Sequence, residues 1–413
     1  MISVAEASER ILAPLSALAG EPIATAKAAG RVLSKPVVAT VDSPPWNNAS
    51  MDGYALNSAD LSEGSPQLRV IEEIAAGSFP SRAITKGEAM RVMTGAPVPS
   101  GADSVIRHED TDNGRDFVTV RSNRDAGKNV RAKGEDFTSG STIFSAGELL
   151  SVAHLGALAA AGVREVEVHR RPRVAIISSG DELVELGDFT EKLAGSKIVS
   201  ANSVTLSSLV ELSGGIPVDL GIARDDAGSL QEKFELARDA DLIITSAGIS
   251  VGDHDHVRNA VNAAGGTIDF WRVKMRPGAP LASGAINGIP WIGLSGNPVS
   301  AIVTFHVFAE PAIRKLLGMR SIFRRTFPVQ TGHPITLAAS LMHFLRVTVE
   351  SGNGGALIAR FAGSQSSGVL TAMARANSLL IIPPDRLDVA EGEMHRAMSL
   401  ASQCELSDSL VLE

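Results

Sequence analysis

The 413 residues hold one cysteine, Cys404, one tyrosine, Tyr54, and an aromatic fraction of only 4%. A lone cysteine excludes an intramolecular disulfide and a thiolate zinc cluster. Positive charge is short as well: 38 Lys and Arg stand against 46 Asp and Glu, a formal net charge of −8. Such a chain has no broad attraction for nucleic acid or for an anionic membrane surface, and neither is expected as a partner. No apolar run reaches the roughly 18 residues of a membrane span, and "MISVAEASERIL" lacks the basic start and apolar stretch of a signal peptide, so the cytoplasm is the expected compartment. What remains is a globular composition, 44% hydrophobic and 20% charged, in a chain too long for one core. Two to four domains are expected.

The texture changes along the chain. Residues 1–40 read as a helix, "VAEASERILA", and a short extended segment, "GRVLSKPVVAT". From Pro44 to about Lys133, turns alternate with short β-like runs ("QLRVIEEIAAG", "AMRVMTGAPV", "DFVTVRS"), which predicts a small β-rich domain. "GELLSVAHLGALAAAG" has apolar residues at helical spacing, and Gly162 is its expected C-terminal cap. At "RRPRVAIISSGDEL" buried-strand runs begin to alternate with helical ones: "NSVTLSSLVELSG", "PVDLGIA", "SLQEKFELARDA", "DLIITSAG", "HVRNAVNAAGG", "TIDFWRVKM", "PWIGLSG" and the long "PVSAIVTFHVFAEPAIRKLLG". Alternation of this kind predicts a mostly parallel, doubly wound sheet. After Gly318 short strands return, which predicts a small all-β domain at the C-terminus.

Open parallel sheets bind ligands beyond the carboxyl ends of their strands. The loops at those ends are "SSGDEL" (178–183), "ARDD" (223–226), "SAGISVGDHD" (246–255), "RPGAP" (276–280) and "LSGNPVS" (294–300). "SAGISVG" before a helix offers bare amides and small hydroxyls, a cradle for phosphate, although it matches neither a P-loop nor a dinucleotide fingerprint. Asp181, Glu182, Asp225, Asp226, Asp253 and Asp255 would repel a phosphate unless a cation mediates, and Mg²⁺ fits because it takes carboxylate and phosphate oxygens together. His254 and His256, two apart on a helix, diverge and have no third ligand, so zinc is not expected. Arg276 and Ser295 could hold a second anion, or Arg276 could simply close its loop on carbonyl groups. Earlier in the chain, "NNASMDGYAL" invites the reading of an Asp-Gly turn, since Gly accepts positive φ and Asp bonds its own backbone.

The ordered set "NNASMDGYA", "RVMTGAPVPSGADSVI", "GEDF", "SSGDEL", "SAGISVGDHD", "RPGAP" and "GNPVSA" resembles the molybdopterin molybdenumtransferase family, which includes the C-terminal domain of gephyrin, from Ile2 to about Pro384. The resemblance implies an α/β and β multidomain protein. Its parts would be an elongated helical/linker domain at a dimer interface (1–45 with 137–170), a β-rich domain (46–136), a central doubly wound α/β molybdopterin-binding domain (171–326) and a small C-terminal β domain (327–413). It implies a homodimer whose cleft lies between the α/β domain of one subunit and the β-rich domain of the other. The implied reaction takes adenylylated molybdopterin and molybdate; with Mg²⁺ the phosphoanhydride is hydrolysed, AMP leaves and molybdenum enters the dithiolene. Carried over by motif, the catalytic residues are Asp52, Thr94, Asp136, Glu182, Asp226 and Asp255, with Glu182, Asp226 and Asp255 also holding the metal. The substrate-binding residues are Ser179, Gly180, Asp181, Ser246, Gly248, Ser250, Gly252, Arg276, Ser295, Gly296, Asn297 and Pro298. Molybdopterin adenylyltransferase and apo-molybdoenzymes are the implied protein partners.

The departures fall on the anion-handling edge. The family's K-P-G-K-P has Arg276 for one lysine and Ala279 for the other, so a cation that could serve molybdate is missing. Ser295 replaces the first proline of P-G-N-P, Ala247 stands where a second glycine is common, and N-S-A-M is reordered to "NASM". Two alternatives therefore stand beside insertion: a molybdopterin-binding paralogue or scaffold without insertion activity, and a molybdopterin adenylyltransferase.

Overall fold

The computed structural model describes residues 1–61, 66–190, 195–246, 254–352 and 355–400, with side chains except those of residues 254–256 and 258. They form two compact units, Met1–Glu21 with His169–Glu413, and Pro22–Val168. The chain opens with α1 (Val4–Leu12), whose N-cap Ser3 accepts the Glu6 amide at 3.1 Å.

The Pro22–Val168 unit contains β1 (Gly53–Leu56), β2 (Gln67–Ile74), β3 (Glu88–Val92), β4 (Ser104–Arg107) and β5 (Phe117–Thr119), in the order β4–β1–β3–β2–β5. The strand β1 is buried on both faces. Ala55 packs with Met90, Val92 and Val105, while Tyr54 and Leu56 pack with Leu68, Ile106 and Val118. The helix expected over 147–162 is α2 (Val152–Ala160). It starts five residues late because 147–150 is drawn into backbone bonding with the 31–33 segment: the Leu33 amide bonds to Glu148 and the Leu150 amide to Arg31. Ser151 and His154 then form a reciprocal capping box. Gly162 follows the helix at φ +72°, the expected glycine stop.

The alternation after Arg171 produces β6 (Arg173–Ser179), α3 (Ala201–Leu212), β7 (Ile216–Ala223), α4 (Ala227–Leu236), β8 (Leu242–Ser246), α5 (His254–Ala263) and β9 (Thr267–Arg272). It continues with β10 (Pro280–Ile286), β11 (Ile289–Leu294), and a helix running through α6 (Pro298–Thr304) and a π turn (Phe305–Ala309) into α7 (Glu310–Leu316). The sheet order is β7–β6–β8–β11–β10–β9. The first four strands are parallel, as expected. The strand β10 was not expected: "PLASGAI" runs antiparallel to both neighbours. "RPGAP" follows β9, which runs in the same direction as the parallel strands, and leads into β10. Reversal of β10 still leaves it on the edge where the parallel strands end, since Ala282 lies opposite Gly293. Buried Ala175, Ile177, Leu230, Phe234, Ile243, Val257, Val261 and Trp291 form the core under α4 and α5, while α3 packs on α6 and α7. Helices thus cover both faces, the doubly wound arrangement. The π turn directly precedes Pro311, which has no N–H to donate one turn back, so the helix re-registers instead of ending.

The C-terminal part is β12 (Thr326–Thr331), β13 (Met342–Ser351), β14 (Leu357–Phe361), α8 (Leu370–Arg375), β15 (Ser378–Ile382) and β16 (Met394–Ser399). Its sheet runs β13–β14–β12–β16–β15 and closes by pairing β15 with β13, which removes the free edges. Leu345, Val347 and Val349 point into this barrel's core, so the alternate residues Phe344, Arg346 and Thr348 face outward. Among the described residues no helix is long and apolar enough to cross a membrane.

Candidate active site

The register places the strand ends on one edge. Ser178 lies opposite Ser246, Ser179 opposite Ala223, and Ser246 opposite Leu294. The five loops named from sequence follow strand ends on this edge, "RPGAP" following that of β9. Gly248, Ser250 and Gly252, with Ala247 and Asp253, lie outside the described residues; so does the side chain of Asp255, although its backbone belongs to α5.

The Ser179 hydroxyl donates to Asp225 Oδ1 at 2.9 Å. Asp181 and Asp225 approach each other reciprocally, each amide 3.4 Å from the other's carboxylate. Gly180, at φ +152°, turns the chain tightly enough that the Glu182 carboxylate folds back over it; a methyl group there would lie 2.6 Å from Glu182 Oε2. Lys197 donates to the Asp181 carbonyl and braces the loop from outside. Asp226 is the N-cap of α4, its Oδ1 accepting the Ser229 amide at 2.8 Å, which leaves one carboxylate oxygen facing solvent. Asp225, not its neighbour, is thus the carboxylate joined to Ser179 and Asp181.

One residue that pattern reading missed ties two loops together. Asn202, in the first turn of α3 and 8% exposed, donates through Nδ2 to Ser246 Oγ at 2.6 Å and to the Gly296 carbonyl at 2.8 Å. Ser295 Oγ accepts the Asn297 amide at 3.3 Å, and Asn297 N-caps α6 with Pro298 at its first turn. The Asn297 Nδ2 reaches across to Ser367 Oγ at 2.9 Å, while its Oδ1 is buried without a partner.

Beside these loops opens a cavity of about 750 Å³, lined by Arg276, Ser295, Asn297, Ser300, His343 and Arg346 among others, and by no carboxylate. Arg346 is 1% exposed. Its NH2 nitrogen donates to the carbonyls of Ser364 and Ser366 at 3.0 and 3.2 Å, and its Nε is buried without a partner. Among the described residues no acid pairs with it, and burial pushes its pKa down with nothing to offset the effect. Arg276 also has no partner among the described residues, so the loop-closing alternative does not hold for it. A buried, unpaired guanidinium is costly unless an anion joins it. The sequence held a signal for Arg346: one arginine inside the apolar strand "FLRVTV". Arg346, on a strand about seventy residues further along the chain, lines the same cavity as Ala279.

The other unit holds Asp52. The Asp-Gly turn does not form there. Gly53 is the first residue of β1, and a methyl group on it would lie 2.0 Å from the Ile106 carbonyl oxygen, so the glycine is required by the neighbouring strand. Asp52 does not bond its own backbone; its Oδ1 accepts both the Thr94 amide at 2.6 Å and the Thr94 hydroxyl at 2.7 Å. The bonds from the Thr94 hydroxyl and amide hold its carboxyl below the usual range, with His108 and Arg91 adding smaller contributions. Tyr54 is fully buried and donates to the Gly114 carbonyl at 3.0 Å. Asp136 is exposed and beyond hydrogen-bond reach of Asp52 and Thr94; it lines an open pocket with Ser43, Asn48 and Arg131.

As for metal, no group of three His, Cys, Asp or Glu side chains converges among the described residues. Mg²⁺ commonly needs only one or two carboxylates beside phosphate oxygens and water, and the solvent-facing carboxylates of Glu182 and Asp226 suit that chemistry.

Comparison with known proteins agrees over most of the chain. Residues 2–162 match the family profile described as "MoeA N-terminal region (domain I and II)", 175–315 match "Probable molybdopterin binding domain", and 328–395 match "MoeA C-terminal region (domain IV)". The chain is 37% identical over 378 residues to a protein from Mycobacterium tuberculosis named molybdopterin molybdenumtransferase 2, covering 89% of this chain and 91% of the relative. It is 35% identical over 380 residues to a molybdopterin molybdenumtransferase from a Nostoc species, covering 88% and 85%. The crystal structure of the molybdopterin biosynthesis moeA protein from Pyrococcus horikoshii superposes with a TM-score of 0.83 at 27% identity, covering 97% of this chain and 100% of that one.

Proposed function

The chain belongs to the molybdopterin molybdenumtransferase (MoeA) family, and on that premise we propose that it acts on adenylylated molybdopterin, with Mg²⁺-dependent hydrolysis of the phosphoanhydride and release of AMP. As a transferase of molybdenum cofactor biosynthesis, it inserts the metal of molybdate; molybdate is the oxyanion taken by the acid-free cavity. The observation that carries this reading is Arg346, buried, unpaired, and sharing the cavity with Arg276. Two guanidinium groups and the small hydroxyls of Ser295, Ser300 and Ser367 suit a compact tetrahedral dianion.

The strand-end loops take the nucleotide side of the substrate. Ser179, Gly180 and Ser246 present hydroxyls and backbone to phosphate oxygens, Asn202 keeps the Ser246 and Gly296 loops in register, and Glu182 and Asp226, with Asp255, take the cation. When bound, Mg²⁺ would neutralise charge on the bridging phosphate oxygens. Arg346 and Arg276 keep the second anion close to the first, a juxtaposition that would be repulsive in water. Asp52, ionised and fixed by Thr94, accepts a proton or orients water, with Asp136 assisting. The working assembly in this reading is a homodimer, supported by Leu149 and Val152, which lie 48% and 80% exposed beside α2.

Of the alternatives, the scaffold without insertion activity is weakened because the cation absent at Ala279 has a substitute in Arg346. The adenylyltransferase reading is weakened because the wall carrying Arg346 belongs to the C-terminal barrel, a part the α/β sheet would not need for adenylyl transfer alone. The test is Arg346→Met. Losing two charge-assisted hydrogen bonds to the oxyanion, ~1.5 kcal/mol each, should weaken molybdate binding about a hundredfold. The same variant should insert molybdenum slowly at limiting molybdate and recover at high molybdate. Wild-type insertion at limiting molybdate would remove the cavity from the mechanism.

A further inference from the structure

The strand β13 loses its backbone neighbour at the arginine that lines the cavity. Its antiparallel pairing with β14 ends at Val347 opposite Phe361. One residue on, Ala362 still donates its amide to the Arg346 carbonyl at 3.1 Å, but the Arg346 amide does not return to Ala362. It donates instead to the side chain of Gln365, reaching Oε1 at 2.9 Å. Gln365 Nε2 donates in turn to the Arg346 carbonyl at 3.0 Å and to the Gly363 carbonyl at 3.1 Å. One side-chain amide thus takes the place of a strand, accepting from and donating to the same residue as a backbone partner would. The orientation of that amide follows from its partners, since a backbone N–H can only donate and a carbonyl can only accept.

This pairing frees the chain to leave the sheet. Gly363 turns it with φ +146°, in the region that favours glycine, and a methyl group there would lie 3.1 Å from the Ala372 Cβ. The loop that follows brings the Ser364 and Ser366 carbonyls to the Arg346 guanidinium, which donates to them through Nη2 at 3.0 and 3.2 Å. Gln365 lies between those two serines. The amide that fixes the Arg346 backbone therefore also fixes the two carbonyls that hold its guanidinium. Further along, the loop is joined to α6 where Asn297 donates to Ser367 Oγ at 2.9 Å. Every acceptor that Arg346 uses is neutral, and Gln365 itself lines the cavity as a neutral residue. A carboxylate of the same length at position 365 would have no hydrogen for the Arg346 and Gly363 carbonyls. It would also set a negative charge beside the cation that the cavity leaves unpaired.

We infer that Gln365 is the positioning residue of the cavity's arginine: its amide fixes the backbone and the guanidinium of Arg346 together, and its neutrality reserves that charge for the oxyanion. The inference rests on the reading of the cavity as the molybdate site. Gln365 acts through Arg346, so its loss should be felt in the affinity for molybdate, and not in the handling of the nucleotide or in the chemical step.

The experiment measures molybdenum insertion by the full-length protein at varied molybdate and saturating adenylylated molybdopterin, with urea unfolding beside it. Gln365→Met keeps the length of the side chain but makes neither bond to Arg346. Its KM for molybdate should rise about tenfold, while kcat at saturating molybdate stays within about twofold. Gln365→Glu should raise that KM further, to about a hundredfold, because the added charge competes with the oxyanion for Arg346. The KM for adenylylated molybdopterin should be unchanged in both. Calorimetric titration with molybdate alone should give the same order, with wild type tightest and Gln365→Glu weakest. A merely structural glutamine would lower stability and kcat together and leave the molybdate KM as it was. That result, or variants that do not fold at all, would overturn the inference while Arg346→Met still weakens molybdate binding. Wild-type affinity in Arg346→Met overturns the cavity reading itself, and the inference with it.

Discussion

Replacing Asp52 with Asn separates charge from shape at one atom. Thr94 sends both its amide and its hydroxyl to Oδ1, at 2.6 and 2.7 Å, and the amide oxygen of Asn can accept both. The geometry survives; the negative charge does not. Hydrogen bonds to a charged acceptor contribute roughly 1.5–3 kcal/mol and those to a neutral one roughly 0.5–1.5, so two of them weaken by about 2 kcal/mol in total, and solvent access reduces this to about 1 kcal/mol. The change in stability should also depend on pH. The carboxyl is held below its ordinary value by Thr94, so its contribution is present above an unfolded pKa of about 3.9 and is lost as pH falls through the lower folded one. The gap between wild type and Asp52→Asn is therefore widest at neutral pH and closes in acid. Insertion should suffer more: Asn cannot accept a proton, and a loss of at least about tenfold, ~1.4 kcal/mol of barrier, is expected. The assay is molybdenum insertion into adenylylated molybdopterin beside urea unfolding, with Thr94→Val as the structural control, which should lose stability similarly while keeping the charge. If Asp52→Asn loses the calculated stability and inserts at the wild-type rate, Asp52 is a strap for the 92–95 loop and has no part in the chemistry.

Three further outcomes are expected. Glu310, its side chain 2% exposed, accepts from Arg314 at 2.7 Å, from Arg324 at 2.6 and 2.9 Å, and from His306 at 3.1 Å. Burial alone would raise its pKa, but the bonds from His306 and Arg324 outweigh it and hold the group at about 2, so its contribution is complete above the unfolded value of 4.5 and fades as pH falls toward 2. Glu310→Gln leaves two cations underpaired and should cost about 3–5 kcal/mol in urea unfolding at neutral pH; a loss below 1 kcal/mol would show that the network adds no net stability. Turnover of adenylylated molybdopterin should stop in chelator and resume with Mg²⁺, and turnover that continues in chelator rules out the metal. Sedimentation at micromolar concentration should show a dimer; a stable monomer would refute the assembly and require another explanation for exposed Val152.

Much of this protein was legible in its sequence because the signals are local. Alternating buried runs and helical stretches after Arg171 specify a parallel sheet, since a strand buried on both faces must be apolar throughout and its crossover must be long enough for a helix. Handedness and adjacency narrow the strand orders such a pattern allows, and the loops at the carboxyl ends fall on one edge without further information. Motif order along the chain sufficed to identify the family. The strand β10 was hidden because Ala, Ser and Gly in "PLASGAI" carry little β preference; its pairing on both sides, not its composition, makes it a strand. The meaning of Asp52-Gly53 was hidden for the same reason. A dipeptide favours a turn locally, but the Ile106 carbonyl, more than fifty residues away, demands the glycine, and Thr94 claims the carboxylate. Arg346 needed the barrel to form and lie against the sheet before it could share a cavity with Arg276. Elements and their order are properties of neighbouring residues, which the chain carries wherever it goes. Desolvation and electrostatic pairing depend on what a fold brings within a few ångströms, and only the tertiary structure decides that.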